Sequence, residues 1–260
     1  MRRVDPVAAA GFASAAEIYE RARPSYPADA VAWLVERTGL APGATVADVG
    51  AGTGKLTRLL VPTGARVIAV EPIAEMRALI EDAETVDATA EELPFADGTI
   101  DVITVAQAFH WFDHERALPE LARVLRPGGF LVLVWNSRDL GDPLQRQVED
   151  LLAARRAEVP AQENSVWREP LAASPFFGER ELRTFPYEQR FTADDLCDRV
   201  ASTSFVAAMP ADEREELLAR VRALVHGVRE PFRFPYKTEV HIVPRTRDRA
   251  GKERGNSNEG

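Results

Sequence analysis

The sequence predicts an α/β protein with a Rossmann-like, doubly wound sheet of seven strands, mostly parallel, with a C-terminal antiparallel hairpin at one edge and a small helical cap. Three observations predict this class. Short apolar runs alternate with segments of helical period between residues 28 and 136, which is the pattern of βαβ units on a parallel sheet. Two later strand-like runs flank a long amphipathic helix, as they do where a late strand closes one sheet edge. The 260 residues, 45% of them apolar, suffice for one large core.

Each element of the parallel part rests on a local signal. Runs of apolar and β-branched residues predict five strands, at residues 45–50, 66–71, 85–88, 100–105 and 130–135. Helical spacing predicts the intervening helices at residues 29–39, 54–61, 74–81 and 114–125. Gly39 ends the first helix, because glycine readily adopts the left-handed conformation found there. The RPGG run at 126–129 predicts a helix stop followed by a tight turn.

The pattern loosens after residue 136. We expect further elements in the order helix, strand, helix, strand, at residues 142–157, 180–191, 211–226 and 234–245. The chain then divides into four predicted parts: an N-terminal lid with the first helix (1–39), a Rossmann-like core (40–136), a cap insertion with the C-terminal part of the sheet (137–245) and a disordered tail (246–260). The tail is predicted to be disordered because it has almost no apolar residues to bury.

Charge and rare residue types exclude several classes of function. The 41 acidic residues outnumber the 32 basic ones, and no dense basic run forms the stripe that nucleic acid requires, so we expect no nucleic-acid partner. No apolar run reaches the ~18 residues of a membrane span, so we expect no membrane partner. Cys197, the single cysteine, cannot form an internal disulfide, and no signal-like segment is complete. We expect a cytoplasmic monomer or homodimer, and no metal, since no cluster has metal-ligand spacing.

The run VADVGAGTGKLT (46–57) places three glycines at the exit of the first strand. A Walker A loop fails here, because Val49 stands where its first glycine belongs and Leu56 stands where a hydroxyl must reach magnesium. A dinucleotide fingerprint is weakened, because the glycine spacing is one residue short and Lys55 replaces the third glycine. The turn therefore brings backbone close to a ligand without adaptation to phosphates. We expect Lys55 to be a solvated residue at the start of the next helix.

Glu71 ends the second strand, about 20 residues beyond the first glycine. A carboxylate at this position accepts hydrogen bonds from vicinal ribose hydroxyls. Its register with the glycine turn predicts a nucleoside ligand. NAD and other adenosine ligands satisfy this signal equally.

Four runs, in this order and spacing, resemble the motifs of class I S-adenosylmethionine-dependent methyltransferases, specifically the type-11-like small-molecule group. They are VADVGAGTGKLT, VIAVEP, ATAEELPFADGTIDVITVAQAFHWFD and RVLRPGGFLVLV. The likeness is close over residues 40–136, and four ordered motifs are far more specific than one glycine loop. It implies that this core binds S-adenosylmethionine and releases S-adenosylhomocysteine.

The resemblance also implies which residues hold the cofactor. Those of the glycine turn, at its methionine end, are Asp48, Gly50, Ala51, Gly52 and Gly54. Glu71 would hold the ribose, Pro72 and Ile73 would flank the adenine, Thr89, Ala90 and Glu91 would meet its edge, and Ala106 and Gln107 would lie beside the sulfonium. Relatives often have Asp where this chain has Thr89, so a contact to the adenine amino group there is weaker or comes from the backbone.

The run FHWFD follows the fourth strand. Phe109, Trp111 and Phe112 could wall an apolar acceptor pocket, and His110 could act as general base, since an unperturbed imidazole has a pKa near ~6.5. The alternative is that these residues only pack at the start of a helix capped by Asp113.

Further candidate acceptor-binding residues lie outside the four motifs. Tyr19, Arg23 and Tyr26 precede the core on a segment that the family uses as a lid. Arg23 could pair with a carboxylate, of the acceptor or of the cofactor's methionine, or it could form a surface salt bridge. Asn136 and Arg138 follow the fifth strand, where ligands gather at the carboxyl ends of parallel strands.

The sequence therefore predicts methyl transfer from S-adenosylmethionine to a small molecule by in-line displacement, on oxygen rather than on carbon or nitrogen. The fourth strand is followed by AQAF and not by the N/D-P-P-Y tetrad of enzymes that methylate planar amides or amines. Two alternatives stay open: an NAD-dependent oxidoreductase, and a non-catalytic protein that binds S-adenosylmethionine.

Overall fold

A computed structural model of the protein describes residues 20–156 and 167–246. Its strands are β1 (Thr45–Val49), β2 (Arg66–Val70), β3 (Glu84–Val86), β4 (Ile100–Ala106), β5 (Leu125–Arg138), β6 (Glu181–Phe191) and β7 (Phe232–Pro244). Its helices are α1 (Ala28–Thr38), α2 (Lys55–Leu60), α3 (Ala74–Arg77), α4 (His114–Val124), α5 (Pro143–Arg156), α6 (Arg168–Ala173), α7 (Ala193–Ala201), α8 (Ser204–Ala207) and α9 (Ala211–Leu224). Short 3₁₀ helices cover Val61–Thr63 and Phe109–Trp111.

The strands form one seven-stranded sheet in the order β3-β2-β1-β4-β5-β7-β6. The pairs from β3 to β5 are parallel, whereas β7 runs antiparallel to both β5 and β6. The predicted mostly parallel sheet with a C-terminal antiparallel hairpin is confirmed. The strand order reverses between β1 and β4, and ligands of open α/β sheets bind at such a reversal, beyond the carboxyl ends of the strands.

Helices cover both faces of the sheet. Helix α4 packs against Ile103 and Val105 in one apolar core, while α1 and α2 pack against Val46 and Val102 in another. Side chains of successive residues in β4 thus lie on opposite faces of the sheet, because side chains alternate along a strand. Burial on both faces explains why these strands read as continuous apolar runs.

The cap lies at one end of the hairpin. Helices α5, α7, α8 and α9 enclose a third apolar core with β6 and β7, whose buried members include Val148, Leu196, Val206, Leu217 and Phe234. The sequence predicted α5 and α9 but not α7 or α8, which lie in the connection from β6 to β7. Helix α7 begins with a capping box, since Thr192 accepts from the backbone of Asp195 and the Asp195 carboxylate bonds back to the N–H of Thr192.

Strand β5 begins earlier than predicted. Helix α4 does end at Val124, but the RPGG run is not a separate turn, because Leu125 already pairs with Ile100. The register then shifts, and Phe130 pairs with Val102. The predicted turn at 126–129 is thus an irregular stretch within β5. Extra residues of β5 lie there opposite β4, as in a β-bulge. Helix α3 also ends earlier than predicted, at Arg77.

Candidate active site

The glycine turn after β1 has left-handed backbone at three positions, with φ of 70° at Gly50, 59° at Gly52 and 81° at Gly54. A Cβ at Gly50 would lie 2.7 Å from the Cβ of Ala108, so this glycine is required by packing as well as by its backbone conformation. A Cβ at Gly52 would meet nothing within 4 Å. The turn therefore packs tightly at its first glycine and opens onto free space at its second.

Glu71 connects this turn to the end of β2. Its side chain is 4% exposed; Oε2 accepts a hydrogen bond from the N–H of Gly52 at 2.8 Å, and Oε1 accepts one from the N–H of Ile73 at 2.9 Å. Burial raises the pKa of Glu71, and these two backbone bonds oppose that rise. Pro72 and Ile73 are half-buried directly beside it. The predicted ribose residue thus lies against the predicted methionine-end turn.

Asp48 lies behind the glycine turn. It is buried at the end of β1, where Oδ2 accepts from the hydroxyl of Thr57 at 2.6 Å and Oδ1 accepts from the hydroxyl of Thr104 at 2.7 Å. Burial raises the pKa of this carboxyl. Asp48 is predicted to line the cofactor, and in the structure both of its carboxylate oxygens tie β1 to α2 and β4. It supports the turn from beneath.

Lys55 is the first residue of α2, and the expectation that it is solvated is wrong. Its side chain is only 16% exposed, and its Nζ donates to the backbone carbonyl of Glu20 and lies 3.4 Å from Oε2 of the same residue. Burial lowers the pKa of Lys55. Arg58 also pairs with Glu20. The two basic residues hold the N-terminal segment, residues 20–27, against the start of α2.

The loop predicted to meet the adenine edge is fixed by its own bonds. The carbonyl of Thr89 accepts from the N–H of Glu92 at 3.2 Å, and Ala90 is buried. Oε1 of Glu91 accepts from the N–H of Asp113 at 2.9 Å. Asp113 is the residue before α4, but its side chain makes no capping bond, so the predicted cap is wrong. The N–H of Asp113 instead anchors the loop through Glu91.

Gln107 follows the end of β4 with a φ of 60° and is the one residue other than glycine with positive φ in the described ranges, 20–156 and 167–246. Such backbone is strained and clusters at functional sites. The N–H of Gln107 donates to Val134 at 3.0 Å, and its Nε2 donates to the carbonyl of Asn136 at 3.3 Å. These bonds hold Ala106 and Gln107 on the wall of the same cleft as the glycine turn.

The aromatic rings of the FHWFD run make ring contacts with one another and with Trp167. Phe109 is fully buried, with its ring centroid 5.5 Å from that of Phe112 and 5.9 Å from that of Trp167, so it is a core residue. The ring of Trp111 lies 4.9 Å from that of His110. Packing therefore accounts for Phe109, as the alternative interpretation required.

His110 is an imidazole without charge at neutral pH. Its ring lies 5.2 Å from that of Trp135, and its Nδ1 is buried with no hydrogen-bond partner. Burial, followed by the nearby charges of Arg23 and His114, lowers the pKa of His110 to about 4. A buried, unpaired ring nitrogen of this kind can accept a proton or a hydrogen bond.

Residues predicted for the acceptor side bridge separate segments. Arg23 donates from Nη2 to the carbonyl of Ser202 in the cap at 2.7 Å. Asn136 donates from Nδ2 to the carbonyl of Ser25 at 2.8 Å, and its Oδ1 accepts from the hydroxyl of Thr238 at 2.5 Å. The N-terminal segment is thereby bound to both the cap and the end of β5.

Two other predicted acceptor residues, Arg138 and Tyr26, contact other parts of the protein. Arg138 pairs with Glu149 of α5. Tyr26 is mostly buried beside α1. Tyr19 lies outside the described residues, as does most of the predicted tail.

One open cleft brings the glycine turn together with the N-terminal segment, the end of β4 and Arg199 of the cap. Glu71, His110 and Arg138 are not among the residues of its wall. Its walls consist of Arg23, Pro24, Tyr26, Gly50, Ala51, Gly52, Thr53, Lys55, Leu56, Ala106, Gln107 and Arg199. Sequence reasoning missed Arg199, which belongs to α7. The available signal was an arginine beside Val200 on a helix whose other buried residues, Leu196 and Cys197, are apolar.

Two features are absent from the described residues, 20–156 and 167–246. No group of three His, Cys, Asp or Glu side chains converges there on a point that could hold a metal ion. Across the same residues, every helix is too short or too polar to cross a bilayer.

The chain is similar to known methyltransferases. A family model described as a methyltransferase domain matches residues 47–133, from β1 into β5. An uncharacterized methyltransferase of Mycobacterium tuberculosis is 42% identical over 218 residues, which is 82% of this chain and 85% of the relative. A methyltransferase-like protein of Schizosaccharomyces pombe is 33% identical over 78% of this chain and 81% of its own length. A solved structure of a proposed type II methyltransferase from Anaeromyxobacter dehalogenans has a TM-score of 0.62 at 27% identity, covering 86% of this chain and 97% of that one.

These similarities extend over most of the chain and coincide with the glycine turn, Glu71 and the strand order described above. They favour a methyltransferase over the alternative of an NAD-dependent oxidoreductase. The chain belongs to the class I S-adenosylmethionine-dependent methyltransferases, in the family defined by the methyltransferase domain.

Proposed function

We propose that the protein transfers a methyl group from S-adenosylmethionine to an oxygen atom of a small-molecule acceptor. The observation that carries this proposal is the junction between the glycine turn and Glu71, whose Oε2 lies 2.8 Å from the backbone nitrogen of Gly52. This junction sets a buried carboxylate beside a turn that has open space at Gly52. A carboxylate suits ribose hydroxyls, and a turn without a phosphate-binding motif suits a nucleoside that carries no phosphate.

The residues around the junction fit the same ligand. Glu71 would accept from the ribose hydroxyls, with Pro72 and Ile73 beside the adenine. The loop at Thr89, Ala90 and Glu91 would close the adenine edge. Ala106 and Gln107 share the cleft with the glycine turn, so they would lie beside the sulfonium.

S-adenosylmethionine supplies, when bound, a methyl group activated by its positive sulfur. The protein's own residues have to align the acceptor oxygen with that methyl group and exclude water. The bonds of Gln107 to Val134 and Asn136 fix the wall at the end of β4. Arg23, Pro24 and Tyr26 line the cleft from the N-terminal segment, which would cover the bound reactants.

His110 would accept the proton that the acceptor loses. A hydroxyl has to lose its proton as its oxygen is methylated, and the unpaired Nδ1 of His110 could take it. A pKa of about 4 keeps the ring neutral at pH 7 but makes it a weak base. His110 therefore suits an acceptor with an acidic proton, and an acceptor that is already an anion needs no base.

Calorimetry with S-adenosylmethionine, S-adenosylhomocysteine and NAD tests the cofactor assignment. We expect the first two to bind, and we expect Glu71→Ala to weaken their binding by about tenfold or more, because hydrogen bonds to charged groups are the strong ones. The control is Glu84→Ala, which removes an exposed carboxylate paired with Arg66 on the outer strands. Undiminished binding by Glu71→Ala would refute the ribose assignment, and binding of NAD alone would refute the proposed function.

Turnover separates an enzyme from a non-catalytic binder. Methyl-labelled S-adenosylmethionine is incubated with a panel of hydroxyl and carboxyl compounds, and products are identified by mass spectrometry. Label on oxygen supports the proposal, whereas label on carbon or nitrogen contradicts it. Binding without transfer to any compound favours the non-catalytic alternative.

A further inference from the structure

Arg199 is a buried cation on the cleft wall whose hydrogen-bonding capacity is only partly used. Its side chain belongs to a residue that is 7% exposed, and its Nε donates to the hydroxyl of Tyr236 at 3.1 Å. Its Nη1 is buried and has no hydrogen-bond partner. None of the ion pairs within the described ranges includes Arg199. A guanidinium in this state lacks the anion that normally offsets its burial.

A second guanidinium, that of Arg138, lies beside the same tyrosine, because Arg138 pairs with Tyr236 across the β5–β7 ladder. Arg138 is paired with Glu149, and its Nε is buried without a hydrogen-bond partner. Burial lowers the pKa of Arg138, and the positive charge of Arg199 lowers it further. An added anion at Arg199, the one of the two that lines the cleft, would reduce this repulsion. The chain as a whole carries a net charge of −9, so the positive charge around Arg199 runs against its overall charge balance.

The fold puts these cations on the acceptor side. Arg199 bonds to Tyr236 of β7, and Tyr236 pairs with Arg138 across the β5–β7 ladder. The glycine turn follows β1, and the sheet order from β1 runs through β4 and β5 to β7. Three strand spacings separate β1 from β7, which is roughly 14 Å. The methionine end of the cofactor is expected at the glycine turn, so the Arg199 end of the cleft is left for the acceptor.

We propose that Arg199, supported by Arg138, binds a carboxylate group of the acceptor, and that the protein therefore methylates an anionic small molecule. This inference rests on the proposed function of the same cleft. The planar fork of a guanidinium matches the two oxygens of a carboxylate, and the protein itself supplies no hydrogen-bond partner for Nη1 of Arg199. Tyr236 acts as a positioning residue, because its hydroxyl fixes the opposite, Nε edge of the fork.

The test is calorimetric binding of succinate, benzoate and inorganic phosphate to the full chain saturated with S-adenosylhomocysteine. We expect a carboxylate probe to bind and phosphate to bind more weakly. Arg199→Gln should weaken the carboxylate by about tenfold to a hundredfold, the range for hydrogen bonds to charged groups. The Kd of S-adenosylhomocysteine itself should stay unchanged.

Matched variants keep the test decisive if Arg199→Gln fails to fold. Tyr236→Phe leaves the charge of Arg199 but removes its anchor, and it should weaken carboxylate binding by a smaller factor. Arg190→Gln removes an exposed arginine of β6 and should change nothing.

Each remaining outcome refutes either this inference or the proposed function. Binding of S-adenosylhomocysteine without any carboxylate probe overturns this inference and leaves the proposed function standing. Weaker binding of S-adenosylhomocysteine by Arg199→Gln would mean that Arg199 serves the cofactor, and preferential binding of phosphate would mean a different anion. Failure of S-adenosylhomocysteine and S-adenosylmethionine to bind at all overturns the proposed function itself.

Discussion

The two ends of the cleft are built in different ways. The glycine-turn end uses backbone from a contiguous stretch, and its key contact joins the N–H of Gly52 to Glu71 only 19 positions later. The Arg199 end uses side chains brought together from distant segments, since Arg23 meets Ser202 and Asn136 meets Ser25. A site made of local backbone leaves a motif in the sequence. A site made of distant side chains leaves none.

Burial also acts on the two ends in opposite directions. It raises the pKa of Asp48 and Glu71 beneath and beside the glycine turn. It lowers the pKa of His110 and Arg138 near the acceptor side. In both cases the low-dielectric interior disfavours the charged form. The two carboxyls lie at the glycine-turn end together with Lys55, whereas Arg138 and Arg199 lie toward the cap, where a negatively charged acceptor would bind.

The largest expected effect follows from a substitution in the glycine turn. Gly50→Ala would force left-handed backbone on alanine and drive its Cβ to 2.7 Å from that of Ala108. We expect a loss of about 2–4 kcal/mol in the free energy of unfolding, measured by urea titration, together with loss of S-adenosylmethionine binding.

Gly39→Ala is the matched control, because Gly39 has a φ of 67° but nothing within 4 Å of an added Cβ. Only the backbone term of about 1 kcal/mol should appear there. Equal losses for the two variants would show that the contact with Ala108 is not what makes Gly50 necessary.

A smaller effect concerns pH at the acceptor side. The pKa of His110 is lowered from 6.5 to about 4 in the folded protein, so its contribution to stability is present above pH 6.5 and is lost as pH falls toward 4. We expect that loss to be on the order of 1–3 kcal/mol in the wild type and to be absent in His110→Asn.

The free energy of unfolding at a series of pH values measures this difference. His226→Asn, which replaces an exposed histidine at the end of α9, should keep the wild-type slope. If His110→Asn keeps the wild-type slope as well, the ring is charged or solvated in the folded protein, and it is not the neutral base proposed above.

The smallest effect concerns the segment that spans both ends. Glu20→Gln should weaken its pairing with Lys55 and Arg58, at a cost of about 0.5–1 kcal/mol for partly exposed pairs. We also expect faster dissociation of S-adenosylhomocysteine in stopped-flow measurements, because the segment would cover the cleft less firmly. Glu84→Gln, in an exposed pair with Arg66, should leave the dissociation rate unchanged. Equal rates in both variants would contradict a covering role.

Much of the fold was predictable because its signals are local. All seven strands coincide with predicted runs, and Gly39 ends α1 with left-handed backbone as expected. The extent of β5 was not predictable, because its early pairing depends on Ile100, 25 positions before Leu125 in the chain. Helices α7 and α8 were not predicted, although the capping box at Thr192 is a local signal for the start of α7.

The site shows the same limit. Glu71 could be identified from its register with the glycine turn, because strand length fixes that spacing. The environment of Lys55 could not, because its partner Glu20 lies 35 positions earlier. Arg199 was beyond reach for the same reason, since only the folded cap brings it to Tyr236, 37 positions later. Whether each cofactor residue touches its expected ligand atom stays a prediction for the binding tests above.

The position of the N-terminal segment has a consequence for exchanging acceptor preference between relatives. Arg21 pairs with Asp198 at 2.8 Å and Arg23 bonds to the carbonyl of Ser202, so residues 20–27 and the cap fit each other directly. A chimaera that received only the cap of a relative would join two surfaces shaped for different partners. Acceptor preference should therefore transfer as a pair of segments, residues 20–27 together with the β6–β7 connection, even though some 170 positions of chain separate them.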